Sequence, residues 1–258
     1  MRVPTPHSSF AVLALAGLLT ACGDSAPPED VALAGECGDA FGGQICTWGT
    51  ADAAGTILAY GVTVPMTVIE GAPADHEMAF PPVANAIVRM PAEVTAATGV
   101  DHFTFFWEPH GHPPGAYLTP HFDFHFYGIS GAAREAIDCA DPMKPETLAA
   151  GYALPDLEIP ELGTLVGMCV PAMGMHSAPG DQLASDVLFD GTMIIGYYQQ
   201  RPIFFEPMIA QQYLLRRESF DLAMPSVPGV PSGVRYPGQF RAEYDAASDS
   251  YRFTFTGS

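Results

Sequence analysis

His110-Gly-His112-Pro-Pro-Gly-Ala-Tyr-Leu-Thr-Pro-His121-Phe-Asp123-Phe-His125-Phe-Tyr127 gathers four of the chain's eight histidines into sixteen residues. Its second half alternates: His121, Asp123, His125 and Tyr127 take one parity, Phe122, Phe124 and Phe126 the other. On a β-strand, side chains of one parity point to one face. The stretch therefore predicts a strand with three phenylalanines in a core and two imidazoles and a carboxylate opposite. Imidazole together with carboxylate suits zinc, iron or another transition metal. A solvated strand face would account for histidines alone. It would not account for the phenylalanines beneath them, or for two more histidines just before a Pro-Pro-Gly turn.

Working outward, His102 to Trp107 is an aromatic strand that runs directly into this block, and Ile57 to Val64 is a β-rich early strand. Between them, Ala84 to Gly99 reads as a short strand leading to a turn at Pro91. Ser130 is placed to cap a short helix through Ala136, with Arg134 and Glu135 outward. Residues 140–163, rich in Pro, Glu and Gly, read as an extended loop or lid. Val187–Tyr198 and Ile203–Phe205 are expected as strands around the Gln199-Gln200-Arg201-Pro202 turn, with Pro207 opening a helix to about Arg217. Gln239–Tyr244 and Ser250–Thr256 suit a closing hairpin with Tyr251, Phe253 and Phe255 on one face. Short strands dominate. The expected fold is α+β and β-rich, an antiparallel sandwich or partly open barrel with one or two short helices.

The N-terminus bears on compartment. Arg2 precedes a short apolar stretch, Phe10 to Leu19, and Leu19-Thr20-Ala21-Cys22 matches the lipobox of bacterial lipoproteins. Residues 1–21 are expected as a lipoprotein signal peptide, Cys22 as the lipidated residue, 22–36 as a flexible tether and 37–258 as a single domain. The mature protein would then sit in the cell envelope, on the outer side of the cytoplasmic membrane or on the outer membrane. Four further cysteines in an oxidising compartment suggest two disulfides, and sequence order favours Cys37–Cys46 and Cys139–Cys169. A formal charge of −19, with only 10 Lys and Arg, repels phosphate backbones and disfavours nucleic acid as a partner. The partners expected are a membrane through the lipid anchor and a small-molecule substrate, with self-association left open.

Phe106-Trp-Glu-Pro-His-Gly-His-Pro-Pro-Gly115 and Pro120-His-Phe-Asp-Phe-His-Phe-Tyr127 are followed by Met173-Gly-Met-His176 and Phe204-Phe-Glu-Pro-Met-Ile209. Together these segments resemble a family of bacterial proteins carried as a domain of unknown function and labelled hydrolases. The similarity covers roughly residues 45–256, and the histidine block is its specific part. The resemblance implies a β-rich domain with a histidine-lined metal centre and no established substrate. Where the family pattern continues into Trp-x-Asp, this chain has Ser177-Ala178-Pro179 with Asp181 displaced, so no role is carried over to an acid there.

A catalytic ion with an open position needs about three protein ligands. His121 and His125 are the leading pair, and would converge if the strand bends or the ion sits above Asp123. His176 is the natural third ligand, His112 the next, and His110 the last. Asp123 is a candidate ligand, orienting acceptor or general base; Glu206 a candidate ligand, general base or helix cap. Tyr127, His76 and His102 read as structural. No Gly-x-Ser-x-Gly elbow, phosphate-binding loop, dinucleotide fingerprint or His-Glu-x-x-His helix occurs. The expected function is a metal-dependent hydrolase using a metal-bound water, with zinc as the favoured ion. The alternatives are a non-catalytic metal-binding or structural envelope protein and a cupin-like iron oxygenase. Pro113-Pro114 directly after His112 argues against the last, because prolines interrupt such a strand.

Overall fold

The computed structural model describes Met1 and residues 30–75, 79–160 and 163–257. The signal segment, Cys22, His7 and His76 lie outside the described residues. In chain order the elements open with β1 (Val31–Ala40), β2 (Gly43–Ala51), β3 (Ile57–Pro65), α1 (Met66–Gly71), β4 (Ala86–Arg89) and α2 (Ala92–Thr98). The histidine block spans β5 (His102–Glu108) and β6 (His121–Tyr127), followed by α3 (Gly131–Glu135). Then come three short strands, β7 (Tyr152–Ala153), β8 (Leu157–Ile159) and β9 (Gly163–Leu165). The rest is β10 (Met175–Pro179), α4 (Gly180–Leu183), β11 (Gly191–Tyr198), β12 (Arg201–Ala210), α5 (Gln211–Leu214), β13 (Phe220–Leu222), β14 (Gln239–Asp245) and β15 (Ser250–Thr256).

Two large antiparallel sheets result, ordered β1-β2-β3-β15-β14-β13 and β4-β5-β6-β12-β11-β10-β7, and β8 pairs only with β9. The large sheets pack face to face, as in a sandwich. Phe124 and Phe126 of β6 meet Phe253 and Phe255 of β15 edge to face, with centroids 4.7 and 4.8 Å apart. Alternation decides which face of β6 is which: Phe122, Phe124 and Phe126 are fully buried in this core, as the sequence predicts. Tyr251, Phe253 and Phe255 share the inner face of β15 in the same way. Five short α-helices are present among the described residues, against one or two expected.

Several expectations need correction. β1 begins at Val31, so 31–36 is strand and not tether. Pro207 does not open a helix; it lies inside β12, paired with Met193 of β11. Pro202–Ala210 is buried on both sides, and strands buried on both faces lack the alternation that distinguishes them from helix. Ser130 caps α3 through Ala133 N–H as expected, but Arg134 is buried and donates to Ala172 O at 3.0 Å. Both expected cysteine pairs are bonded. Cys37 and Cys46 are opposite residues of β1 and β2, and Cys139–Cys169 closes the segment carrying β7, β8 and β9. Disulfides suit a compartment outside the cytoplasm, and no described helix is long and apolar enough to cross a membrane.

Candidate metal centre

The outer face of the seven-stranded sheet carries the polar residues that the core face excludes. On β6 these are His121, Asp123 and His125; Glu108 of β5 lies opposite His121. The pairings Phe205↔Phe126 and Met208↔Asp123 place Glu206 of β12 beside His125. His176 of β10 sits opposite Gly196 of β11, and Gly196 in turn opposite Phe204 of β12. A methyl group at residue 196 would run into the Phe204 ring. Glycine there lets that ring lie over β11 and contact both His125 and His176, with centroids 4.7 and 5.1 Å away. His112 arrives from the β5–β6 loop. Gly111, at φ +63° and tight against the Tyr117 and Thr119 backbone, lets the loop fold back until the His112 and His121 rings are 4.8 Å apart.

Six side chains singled out in the sequence form two triplets, His112-His121-Asp123 and His125-His176-Glu206, each with its ligand atoms within 4.8 Å of one another. Either triplet can hold a metal ion. Within them His121 Nε2 lies 3.3 Å from Asp123 Oδ1, His125 Nε2 3.4 Å from Glu206 Oε2, and His125 Nε2 3.5 Å from His176 Nε2. The Asp123 and Glu206 carboxyls lie close enough to influence each other's ionisation, which links the two triplets. The expected grouping of His121, His125 and His176 around one ion does not form, for a reason set by strand geometry. Two residues of strand span about 7 Å and four span about 13 Å. That exceeds the reach of one ion with bonds near 2.0–2.1 Å, so His121 and His125 serve different triplets.

Backbone carbonyls fix the imidazole orientations. Nδ1 of His121 faces Thr119 O at 2.7 Å, Nδ1 of His176 faces Met168 O at 3.1 Å, and Nδ1 of His112 faces Pro113 O at 2.9 Å. A carbonyl only accepts, so each of these nitrogens carries the proton and each Nε2 presents a lone pair, the arrangement that orients metal-ligating histidines. The buried atoms His121 Nε2, Asp123 Oδ1 and Glu206 Oε2 have no hydrogen-bond partner. At 3.3 Å, the His121 lone pair and the Asp123 oxygen repel unless a proton or cation lies between them.

Burial dominates the electrostatics. It pushes His121 and His125 well below the ordinary imidazole range, reinforced by His112 and His176 respectively, and brings His176 to about 4. Burial raises Asp123 and Glu206 well above the usual carboxylate range, and repulsion from Glu206 and Glu108 adds to the effect on Asp123. Burial thus favours neutral imidazoles and protonated carboxyls where no cation is bound.

A cavity of about 310 Å³ opens on both triplets through His112, Asp123, His176 and Glu206. Leu157, Ile159 and Leu165 of the β8–β9 hairpin line it, so part of the expected lid segment is its wall. Sequence pattern passes over Glu108, which lines the cavity, is buried, and is raised by that burial to about 7. Its signal is its parity, since it shares the face of His102, Thr104 and Phe106 on β5. His110 is exposed and belongs to neither triplet. His102 is structural, bonded to Asp101 at 2.9 Å. Tyr127 stacks on both His102 and His125, at 4.9 and 5.7 Å, and so sets the plane of the His125 ring. Compared with protein-family models, curated proteins and solved structures, the chain matches none, and the family resemblance rests on its sequence segments.

Proposed function

We propose that this chain is a lipid-anchored, metal-dependent hydrolase of the cell envelope whose centre takes two divalent ions, zinc above others. One observation carries the reading: two adjoining sets of two histidines and one carboxylate open on a single cavity. Each set matches the three-ligand pattern of catalytic zinc, which leaves a position free. The same donors suit non-haem iron, and elemental analysis of the purified protein distinguishes the two metals. Bound ions would supply Lewis acidity, polarising a carbonyl and acidifying water. Asp123 and Glu206, expected as general bases, serve better as ligands because each sits inside a triplet. Glu108 lines the cavity outside both, and a carboxyl near neutrality can accept and return a proton.

The test is hydrolysis of a panel of uncharged esters and amides by protein purified without an affinity tag. Turnover should disappear with a chelator and return with zinc. Full metal content with no turnover across the panel would discard the hydrolase and leave a non-catalytic metal-binding envelope protein.

A further inference from the structure

We infer that the cavity selects an uncharged substrate carrying an apolar chain or ring beside its reactive group; this deepens the hydrolase reading and rests on the same site. The walls are apolar: Leu157, Ile159 and Leu165 from the hairpin, together with Met168, Met173 and Met208. The polar side chains of the lining are carboxyls, imidazoles and the Tyr117 phenol, and no Lys or Arg side chain is among the lining residues. Recognition of a carboxylate or phosphate on a substrate calls for guanidinium, ammonium or a helix N-terminus. Two divalent ions would already be largely balanced by Asp123, Glu206 and Glu108, leaving little positive charge for an anionic substrate. At about 310 Å³ the space lies at the small end of ligand sites, which run from about 300 to 1,000 Å³. It fits a short acyl or aryl group.

Calorimetry with simple amides separates this inference from the metal chemistry. On metal-free full-length protein, octanamide should bind, and affinity should fall about fourfold for each buried methylene removed toward butanamide, from about 0.8 kcal/mol per CH₂ and 1.4 kcal/mol per tenfold. Octanoate, with the same chain and a charge, should bind at least about tenfold more weakly than octanamide. Ile159 is half-buried on the two-stranded hairpin, so Ile159→Asp should retain metal content and lose octanamide binding. Failure of octanamide to bind, butanamide binding as tightly, or octanoate binding as well as the amide would each overturn the substrate class. In a second arm, octanohydroxamate should bind zinc-loaded protein far more tightly than octanamide does. No gain there would count against the metal centre and leave the apolar selectivity standing.

Discussion

His121 shows how one residue can favour a cation. Thr119 O holds its Nδ1 proton, its Nε2 faces the Asp123 carboxyl oxygen, and the whole side chain is buried, so a proton or a cation must lie between the two. Replacing it with alanine should remove one ion of two, because His125, His176 and Glu206 form a separate set. His102→Ala should leave metal content intact. Elemental analysis of each variant reads both outcomes, and loss of both ions in His121→Ala would mean the triplets do not bind independently. The pH dependence follows from the directions of the shifts. His121, His125 and His176 titrate below their unfolded values. The unfolded chain therefore takes up the extra protons, and stability falls as pH drops below about 6.5. Glu108, Asp123 and Glu206 titrate above theirs. The stability they contribute is present in acid and is lost as pH rises through their folded values, about 7 for Glu108. Metal-free protein should be most stable slightly below neutrality, and zinc should abolish the alkaline decline by displacing protons from Asp123 and Glu206. Thermal melts across pH, with and without zinc, test this; metal-free stability still climbing at about pH 8 would contradict it.

At the scale of elements, β6 was legible because one of its faces is all phenylalanine and the other all chemistry. β12 was not, because both of its faces are almost wholly apolar and Pro207 imitates a helix start. The same difference governs the site. The six ligand candidates could be picked out by residue type and parity, but their division into two triplets depends on cross-strand register, which no local pattern carries. Glu108 needs that register as well, since its partner is the facing strand. Gly196 is the clearest case of an element serving the site from behind. Gly196→Ala should displace the Phe204 ring, cost roughly 1–3 kcal/mol through overpacking, and weaken the His125-His176-Glu206 ion selectively. Denaturation together with metal titration checks both parts; an unchanged second ion would show that Phe204 does not position those rings. Cys139–Cys169 closes the segment that walls the cavity. Replacing both cysteines with serine should lower stability by about 2–4 kcal/mol and expose residues 140–168 to limited proteolysis. Unaltered digestion would show that the wall holds without its staple.

Across the whole molecule, one sheet of the sandwich serves as a foundation and the other as a work surface. The two share an aromatic core, while the outer face of the seven-stranded sheet bears every residue of both triplets except His112, which the β5–β6 loop folds over it. At the envelope scale, the Leu19-Thr20-Ala21-Cys22 motif supports an anchor. Cys22→Ala should release the protein into the soluble fraction, and equal fractionation of both forms would count against lipidation. The central claim, however, is the two-ion centre. Native mass spectrometry paired with elemental analysis, on protein purified without a tag and supplied with zinc, measures it most directly. Two ions per chain, falling to one in His121→Ala and to one in His176→Ala, is the result predicted from the two triplets. A chain that holds no transition metal, or a single ion lost completely in either variant, would contradict it.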